Sequence, residues 1–288
     1  MLEYWGLHLL CYKEKNYDVY CVGKTNLDLF YYIDQIKLEE NHIANEFYYF
    51  AGGKATNVAI NLSKFGLKVG LISVIGNDVF GKVVLNILSE KNIDFLGKKV
   101  NETTSLTSII VDKFGKNTMF HNIGANSKLS SDLIPKKIPF SFVQSGIPTD
   151  TIIKAINNSK ISFLELSETS QFEMIKPLLK KIKFVSLNEN ELNNIFKTNN
   201  TEKNLHLLSN FSNNILLKIG EKGLIFLDEK GKVYMVPAEK TDVINTTGAG
   251  DAISAAFIYG SLKKWEIPEI LRFCVKFASQ IIKSKYST

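Results

Sequence analysis

Cysteine and histidine are scarce in this 288-residue chain, and that scarcity removes whole classes of chemistry. The three cysteines, Cys11, Cys21 and Cys274, are scattered; they build no disulfide framework, fit no metal-ligand spacing and point to a reducing compartment. The four histidines, His8, His42, His121 and His206, are as dispersed, so a zinc site is not expected. No apolar run approaches the roughly 18 residues of a membrane span. The apolar stretch at residues 4–12 is short and lacks both a basic start and a small-residue cleavage site, so residues 1–16 are read as an N-terminal extension and not as a signal peptide. No basic block carries interleaved aromatics: the net charge of +6 comes from lysines spread along the chain. Nucleic acid is therefore not an expected partner, and the lysines read as a solvated surface that favours anionic ligands. There is no internal repeat, no Gly-x-Gly-x-x-Gly after the first strand and no Gly-x-x-x-x-Gly-Lys-Ser/Thr loop, which excludes a Rossmann dehydrogenase and a P-loop enzyme. What remains is an ordinary globular composition, 45% hydrophobic, with a cytoplasmic location expected.

The patterning alternates. Residues 17–22 read as a buried first strand ending at Gly23. Residues 27–36 and 47–50 are aromatic and extended, and read as strands that leave the main sheet. Residues 55–65 have helical period with Gly66 as the stop, residues 68–75 form one near-continuous apolar strand, and Asp78 caps a helix. Residues 95–100, 105–111 and 118–123 are short extended runs, the last two joined by a hairpin turn at Gly115-Lys116-Asn117. Strand and helix then alternate: strands at 140–144, 161–166, 184–187 and 214–219, helices at 150–156, 172–180 and 190–196. A hairpin at 223–236 and two final helices, from Ala249 and Ile267, close the chain. Such alternation predicts a mostly parallel sheet with helices on both faces; the early extended runs, about 27–50 and 95–123, are assigned to a small β-sheet lid on one domain spanning 17–288.

Asn245-Thr246-Thr247-Gly248-Ala249-Gly250-Asp251 carries the most chemistry. Small residues at a helix N-terminus bring backbone N–H groups onto one point, an anion site suited to phosphate, and Asp251 sits where a hydroxyl nucleophile would lose its proton. A second cluster, Gly52-Gly53-Lys54-Ala55-Thr56-Asn57, lets a ligand approach the backbone and offers donors from Lys54 and Asn57; a plain strand-to-helix turn explains the same residues equally well. Asn26 and Asp28 share one side of an extended segment at the end of the first strand and suit neighbouring hydroxyls, although an Asx turn accounts for them. Asn188 and Glu191, one helical turn apart, suit magnesium through water and also read as a capping box; the two readings are compatible. Lys218, Gly220 and Gly223 lie between two strands, where a hairpin turn is the simpler account.

Taken together these elements resemble the ribokinase-like (PfkB) carbohydrate and nucleoside kinases. Gly52 to Ala59, with Gly66 and Gly76 downstream, is similar to that family's first signature, and Asn245 to Ile258 to its second. The resemblance implies a three-layer α/β/α sandwich with a mostly parallel central sheet and a β lid. It implies an ATP-dependent phosphotransferase acting on a primary hydroxyl of a sugar or sugar-like nucleoside, with Asp251 as base and Gly248, Ala249 and Gly250 as anion hole. Asn188, Thr247, Lys218, Gly220 and Gly223 would hold ATP, with Mg2+ held through water by Glu191 and Asn188. Asn26, Asp28, Gly52, Gly53, Lys54 and Asn57 would hold the acceptor, and the lid would mediate a homodimer. Three departures are noted. Asn245 stands where the signature often begins with Asp, a residue linked to a monovalent cation (K+). Fewer residues follow the last helix than in relatives. Residues 136–168 are read as lacking the acidic and amide positions expected there. Gly124-Ala125-Asn126 looks like ribokinase and fructokinase relatives, whereas Asp242 to Gly248 and the terminal Ser284 to Thr288 look like pseudouridine kinases. A non-catalytic sugar- or nucleotide-binding relative is the alternative from another class.

Overall fold

The structure, a computed structural model, describes residues 16–284. The N-terminal extension lies outside these residues except for Asn16, as do the last four of the terminal residues that suggested a pseudouridine kinase. In chain order the elements are β1 (Val19–Val22), β2 (Asn26–Ile33), β3 (Glu46–Gly52), α1 (Lys54–Lys64), β4 (Val69–Ile72), β5 (Val74–Gly76), α2 (Val79–Glu90), β6 (Ile93–Phe95), β7 (Lys98–Val100), β8 (Leu106–Asp112) and β9 (Asn117–Asn122). There follow β10 (Ile138–Gln144), α3 (Thr149–Asn158), β11 (Ser159–Glu165), α4 (Phe172–Ile175), β12 (Phe184–Asn188), α5 (Glu189–Phe196), α6 (Thr201–Ser209), β13 (Ile215–Lys218), β14 (Leu224–Leu227), β15 (Val233–Val236), α7 (Ala249–Leu262) and α8 (Ile267–Ile282).

Nine strands form one sheet in the order β15-β14-β13-β12-β11-β10-β1-β4-β6. Pairing is parallel from β13 to β6 and antiparallel only at β13/β14 and β14/β15. Strand alternation sends side chains to opposite faces, which makes two cores. One joins Cys21, Phe142 and Phe163 to α1, α2, α7 and α8; the other joins Val22, Val143 and Leu164 to α3, α4, α5 and α6. The chain is thus a three-layer α/β/α sandwich, as expected. No helix among the described residues is long and apolar enough to cross a membrane.

A separate four-stranded sheet, β3-β2-β8-β9, is built from the aromatic runs. Its β8/β9 hairpin turns at Gly115 with φ 77. The stretch 95–100, expected in this small sheet, is not part of it. β6 extends the edge of the large sheet, and β7 pairs with β5 in a two-stranded ribbon. For the same reason the apolar run 68–75 is two strands. The two runs keep one register on either side of the break, Leu71 opposite Phe95 and Val74 opposite Lys98, but only β4 also pairs with β1. At the break Gly97 lies against Ser73, where a methyl would stand 1.7 Å from the Ser73 carbonyl oxygen.

Two helix expectations also change. Residues 172–180 give one α turn, α4, and then a 3-10 helix over Lys176–Lys181, because Pro177 removes an N–H from the helix interior. α6 was not anticipated; Leu205 and Leu208 are its only buried apolar residues, beside the buried Asn204, and it starts from Asn200, whose side chain accepts from the Lys203 N–H at 2.9 Å. The expected cap at Asp78 is present: it accepts from the Gly81 N–H at 2.7 Å and also holds Thr104.

Candidate active site

The site gathers at the carboxyl ends of the parallel strands. α1 begins at Lys54 directly after Gly53, whose φ of 96 and close approach to the Lys24 carbonyl (a methyl would lie 2.4 Å away) admit only glycine comfortably. Gly52 is constrained by a side chain instead: a methyl there would fall 1.8 Å from Asp28 Oδ2. α1 has no side-chain cap of its own; Gln144 Oε1, at the end of β10, accepts from both the Ala55 N–H at 3.2 Å and the Lys24 N–H at 3.1 Å. Asn26 is held by Asn126, whose Nδ2 donates to Asn26 Oδ1 at 2.8 Å while its Oδ1 accepts from the Thr25 N–H at 3.0 Å.

At the centre, Asn57 Nδ2 donates to Asp251 Oδ2 at 2.8 Å. Asp251 is buried in the first turn of α7. Burial raises its pKa above the usual carboxylate value, with Lys54 and Asn57 pulling the other way. Lys54 is held charged chiefly by Asp251, and also by Glu165 and Glu191, against the effect of burial. Asp28 is pushed up to about 6, first by burial; Asp251 adds to the shift, while Thr107 and Asn26 oppose it. Asp28 Oδ1 and Asn57 Oδ1 are buried acceptors with no hydrogen-bond partner among the described residues.

The loop before α7 is built for an anion. Gly248 takes a left-handed conformation, φ 83, and the first-turn N–H groups of α7, at Gly250 and Asp251, have no partner within the helix. Gly250 itself lies in helix, and a methyl there would meet nothing closer than 3.7 Å; the fold does not demand glycine at this position. Asn245 Oδ1 accepts from the Thr247 N–H at 2.9 Å, and the Asn245 N–H bonds the Ile282 carbonyl at 3.2 Å, docking the loop on the end of α8.

Beneath the loop, Lys218 Nζ donates to Glu165 Oε1 at 2.7 Å, Glu165 Oε2 at 2.8 Å and Ser254 Oγ at 3.1 Å. An ammonium has three N–H groups, and all three are used inside the protein. Ser254 Oγ in turn lies 3.1 Å from the Gly250 carbonyl, one turn earlier in α7. Asn188 and Glu191 form the capping box of α5: the Asn188 N–H donates to Glu191 Oε2 at 2.7 Å and the Glu191 N–H to Asn188 Oδ1 at 2.8 Å. Burial raises the Glu191 pKa. Among the described residues no group of three or more His, Cys, Asp or Glu converges as a metal site.

A cavity of about 750 Å³ adjoins this centre. Lys54, Glu165, Asn188, Glu191, Lys218, Gly220 and Gly223 line it, together with Thr246, Ala249 and Gly250 of the loop and Val275, Ala278 and Ile282 of α8. Gly223 also has a structural duty, since a methyl there would lie 2.1 Å from the Val236 carbonyl. Asn26, Asp28, Gly52, Gly53 and Asn57 do not line this cavity, nor do Asn245, Thr247, Gly248 and Asp251. Lys54 lines it and is held charged by Asp251, which links the cavity to the Asn57–Asp251 pair.

Sequence reasoning missed Glu165 and Gln144, and the reading that residues 136–168 lack acidic and amide positions is corrected by both. A signal was present: Glu165 and Lys218 are opposite charges at the ends of two apolar strands, β11 and β13.

The sequence model for the pfkB family of carbohydrate kinases matches residues 16–288. The chain belongs to that family. Among its relatives, the ribokinase of Lactococcus lactis is 24% identical, with 88% of this chain and 87% of that protein aligned. Two ribokinase structures share the fold of this pfkB chain. That of Thermotoga maritima has a TM-score of 0.83 at 24% identity, covering 94% of each chain. That of Arabidopsis thaliana, complexed with ribose and ATP, has a TM-score of 0.80 at 22% identity, again over 94% of each. The pfkB chain is accordingly a sugar or nucleoside kinase, a phosphotransferase with an alcohol group as acceptor.

Proposed function

We propose that this pfkB kinase moves the γ-phosphoryl group of ATP to a primary hydroxyl of a sugar or sugar-like nucleoside. The observation that carries the reading is Asp251, bonded by Asn57 and paired in charge with Lys54, a residue that lines a cavity large enough for a nucleotide, with buried, unpartnered oxygens on Asn57 and Asp28. Asp28 Oδ1 and Asn57 Oδ1 need donors that the protein does not provide, and hydroxyls of a polyol are donors of the right kind. Asp251 would accept the proton of the reacting hydroxyl as its oxygen attacks the γ-phosphorus and ADP leaves. Its raised pKa makes it a stronger base than an exposed aspartate. The first-turn N–H groups of α7 and Lys54 would meet the charge on the transferring group. Gly250 supports this assignment, since only a ligand, and not the fold, requires the space beside it. Glu191 keeps one carboxylate oxygen outside the capping box, and its oxygen chemistry suits Mg2+ held through water on the ATP phosphates; such an ion neutralises phosphate charge. The four-stranded sheet would act as a lid on a single domain running from residue 17. Phe47, Tyr49 and Phe120, exposed on it, support pairing of two copies through that sheet.

The test is ADP release by the purified protein with ATP, Mg2+ and a panel of pentoses, hexoses, sugar acids, sugar phosphates and nucleosides including pseudouridine, with and without potassium. Turnover of at least one acceptor is expected; binding of a sugar without ADP release across the panel would favour a non-catalytic sensor. The potassium arms test Asn245 as a cation ligand.

A pH profile tests Asp28. Its carboxyl is pushed up to about 6, so in mild acid it is protonated and no longer accepts from two hydroxyls. kcat/KM is expected to rise as pH passes about 6 and then to level. Stability runs the other way: the folded protein holds this proton where the unfolded chain has released it, so the contribution is complete below the ordinary carboxylate value and lost as pH rises through about 6. An Asp28→Asn variant is expected to raise the acceptor KM and to take the step near pH 6 out of the pH profile of KM, leaving the Asp251 limb in kcat; an unchanged KM profile in the variant would reject the assignment.

A further inference from the structure

The large sheet has its topological switch point between β1 and β10: the chain runs from β1 out through β4 to β6, then returns to place β10 and its successors on the other side. In open α/β sheets ligands gather outside the carboxyl ends of strands at such a point. Lys24 stands there. It follows Gly23 at the end of β1, and its N–H is held by Gln144 at the end of β10. Its carbonyl packs against Gly53 and accepts from Thr56 Oγ1 at 3.3 Å. The side chain crosses to Gly146, just beyond β10, where a methyl would stand 3.1 Å from Nζ and 3.7 Å from Cε. Gly146 has φ 82, and a methyl there would crowd both the ammonium and Glu168 Cβ, at 3.3 Å.

The backbone of Lys24 is thus fixed on both sides, yet its Nζ has no hydrogen-bond acceptor and no ion-pair partner within 4.0 Å among the described residues. The charges that reach it are Glu168, which is exposed, and Lys54; partial burial pulls its pKa below the ordinary lysine value. Glu168 has work of its own, accepting from the Ser170 N–H at 3.3 Å and Ser170 Oγ at 2.8 Å. Lys54 differs: Asp251, Glu165 and Glu191 all surround it with opposite charge. An ammonium stripped of part of its water and given no acceptor by the fold is matched by an anionic oxygen.

We propose that Lys24 binds a carboxylate or phosphate carried by the acceptor itself, so that the substrate of this kinase is an acidic or phosphorylated sugar. The inference rests on the kinase reading above and refines its acceptor. Asp28 and Asn57 take hydroxyls; Lys24 takes the charge.

The experiment compares matched acceptors, D-glucose with D-gluconate and D-fructose with D-fructose 1-phosphate, in wild type and Lys24→Gln, by ADP release and by calorimetric binding. The expected result is a kcat/KM at least about tenfold higher for an anionic member than for its neutral partner. Lys24→Gln should raise the KM of that member by about ten- to a hundredfold and leave neutral acceptors unchanged. Gluconate and the sugar phosphate separate the two sources of negative charge. Equal use of neutral and anionic acceptors, or a Lys24→Gln variant with unchanged KM, would overturn the inference while leaving the kinase reading intact. Anion binding that Lys24→Gln abolishes, with no ADP released by either protein, would sustain the Lys24 site and sink the kinase reading. Calorimetry showing no charge preference and no ADP release would sink both.

Discussion

Asp251→Asn is expected to lower kcat by about 10²- to 10⁴-fold, the range of a lost general base, with the melting temperature equal to or above that of the wild type. The substitution keeps shape and removes charge. Asn57 retains a partner, because an amide oxygen at position 251 can accept the same 2.8 Å bond from Nδ2. What disappears is the charged proton acceptor between Asn57 and Lys54. The stability expectation follows from the same burial that raises the Asp251 pKa: a buried ionised carboxyl opposes folding, and Lys54, which loses its chief counter-charge, keeps Glu165 and Glu191. Stopped-time ADP assays and a thermal melt on the same preparation check both halves. A kcat within tenfold of wild type, in a variant that melts normally, would remove Asp251 from the role of base.

Lys218→Met is expected to destabilise the protein by about 3–5 kcal/mol, the cost of leaving a buried charge without its partner, and so to lower the melting temperature by on the order of ten degrees. Glu165 is 2% exposed and accepts from Lys218 through both carboxylate oxygens. Without the ammonium, only Ser254 remains to donate to it, at 2.7 Å. The double variant Glu165→Leu/Lys218→Met removes both charges and is expected to recover most of the loss, since apolar replacements of a buried pair are often neutral or stabilising. A single variant as stable as wild type would mean that the pair is not charged and buried as described. The triad ties β11 and β13 to the first turn of α7 through Ser254 and the Gly250 carbonyl, so activity in the double variant reports how far the anion loop depends on that tie.

Much of this was legible before the structure. The period of the apolar side chains in residues 55–65 and the stop at Gly66 gave α1, although the helix is buried all round from Ala55 to Leu62. The anion loop was legible because small residues before an apolar helix have few other uses. The capping box at Asn188 was legible because it is local. What was not legible is non-local. Gln144 caps α1 from 89 residues away, and Glu165 meets Lys218 across the intervening strand β12. The split of residues 68–75 falls where Ser73 meets Gly97, a close approach that no periodicity within either run records. Lys24 looked like any surface lysine until Gly146 was beside it.

Asp28 belongs to β2 of the small sheet, whereas Asp251 belongs to α7 of the body, and each lies within the other's electrostatic reach, Asp251 raising the Asp28 pKa. The small sheet and the body therefore present like charges to one seam. A polyhydroxylated guest seated between the two carboxylates would donate to both and turn that repulsion into a bridge.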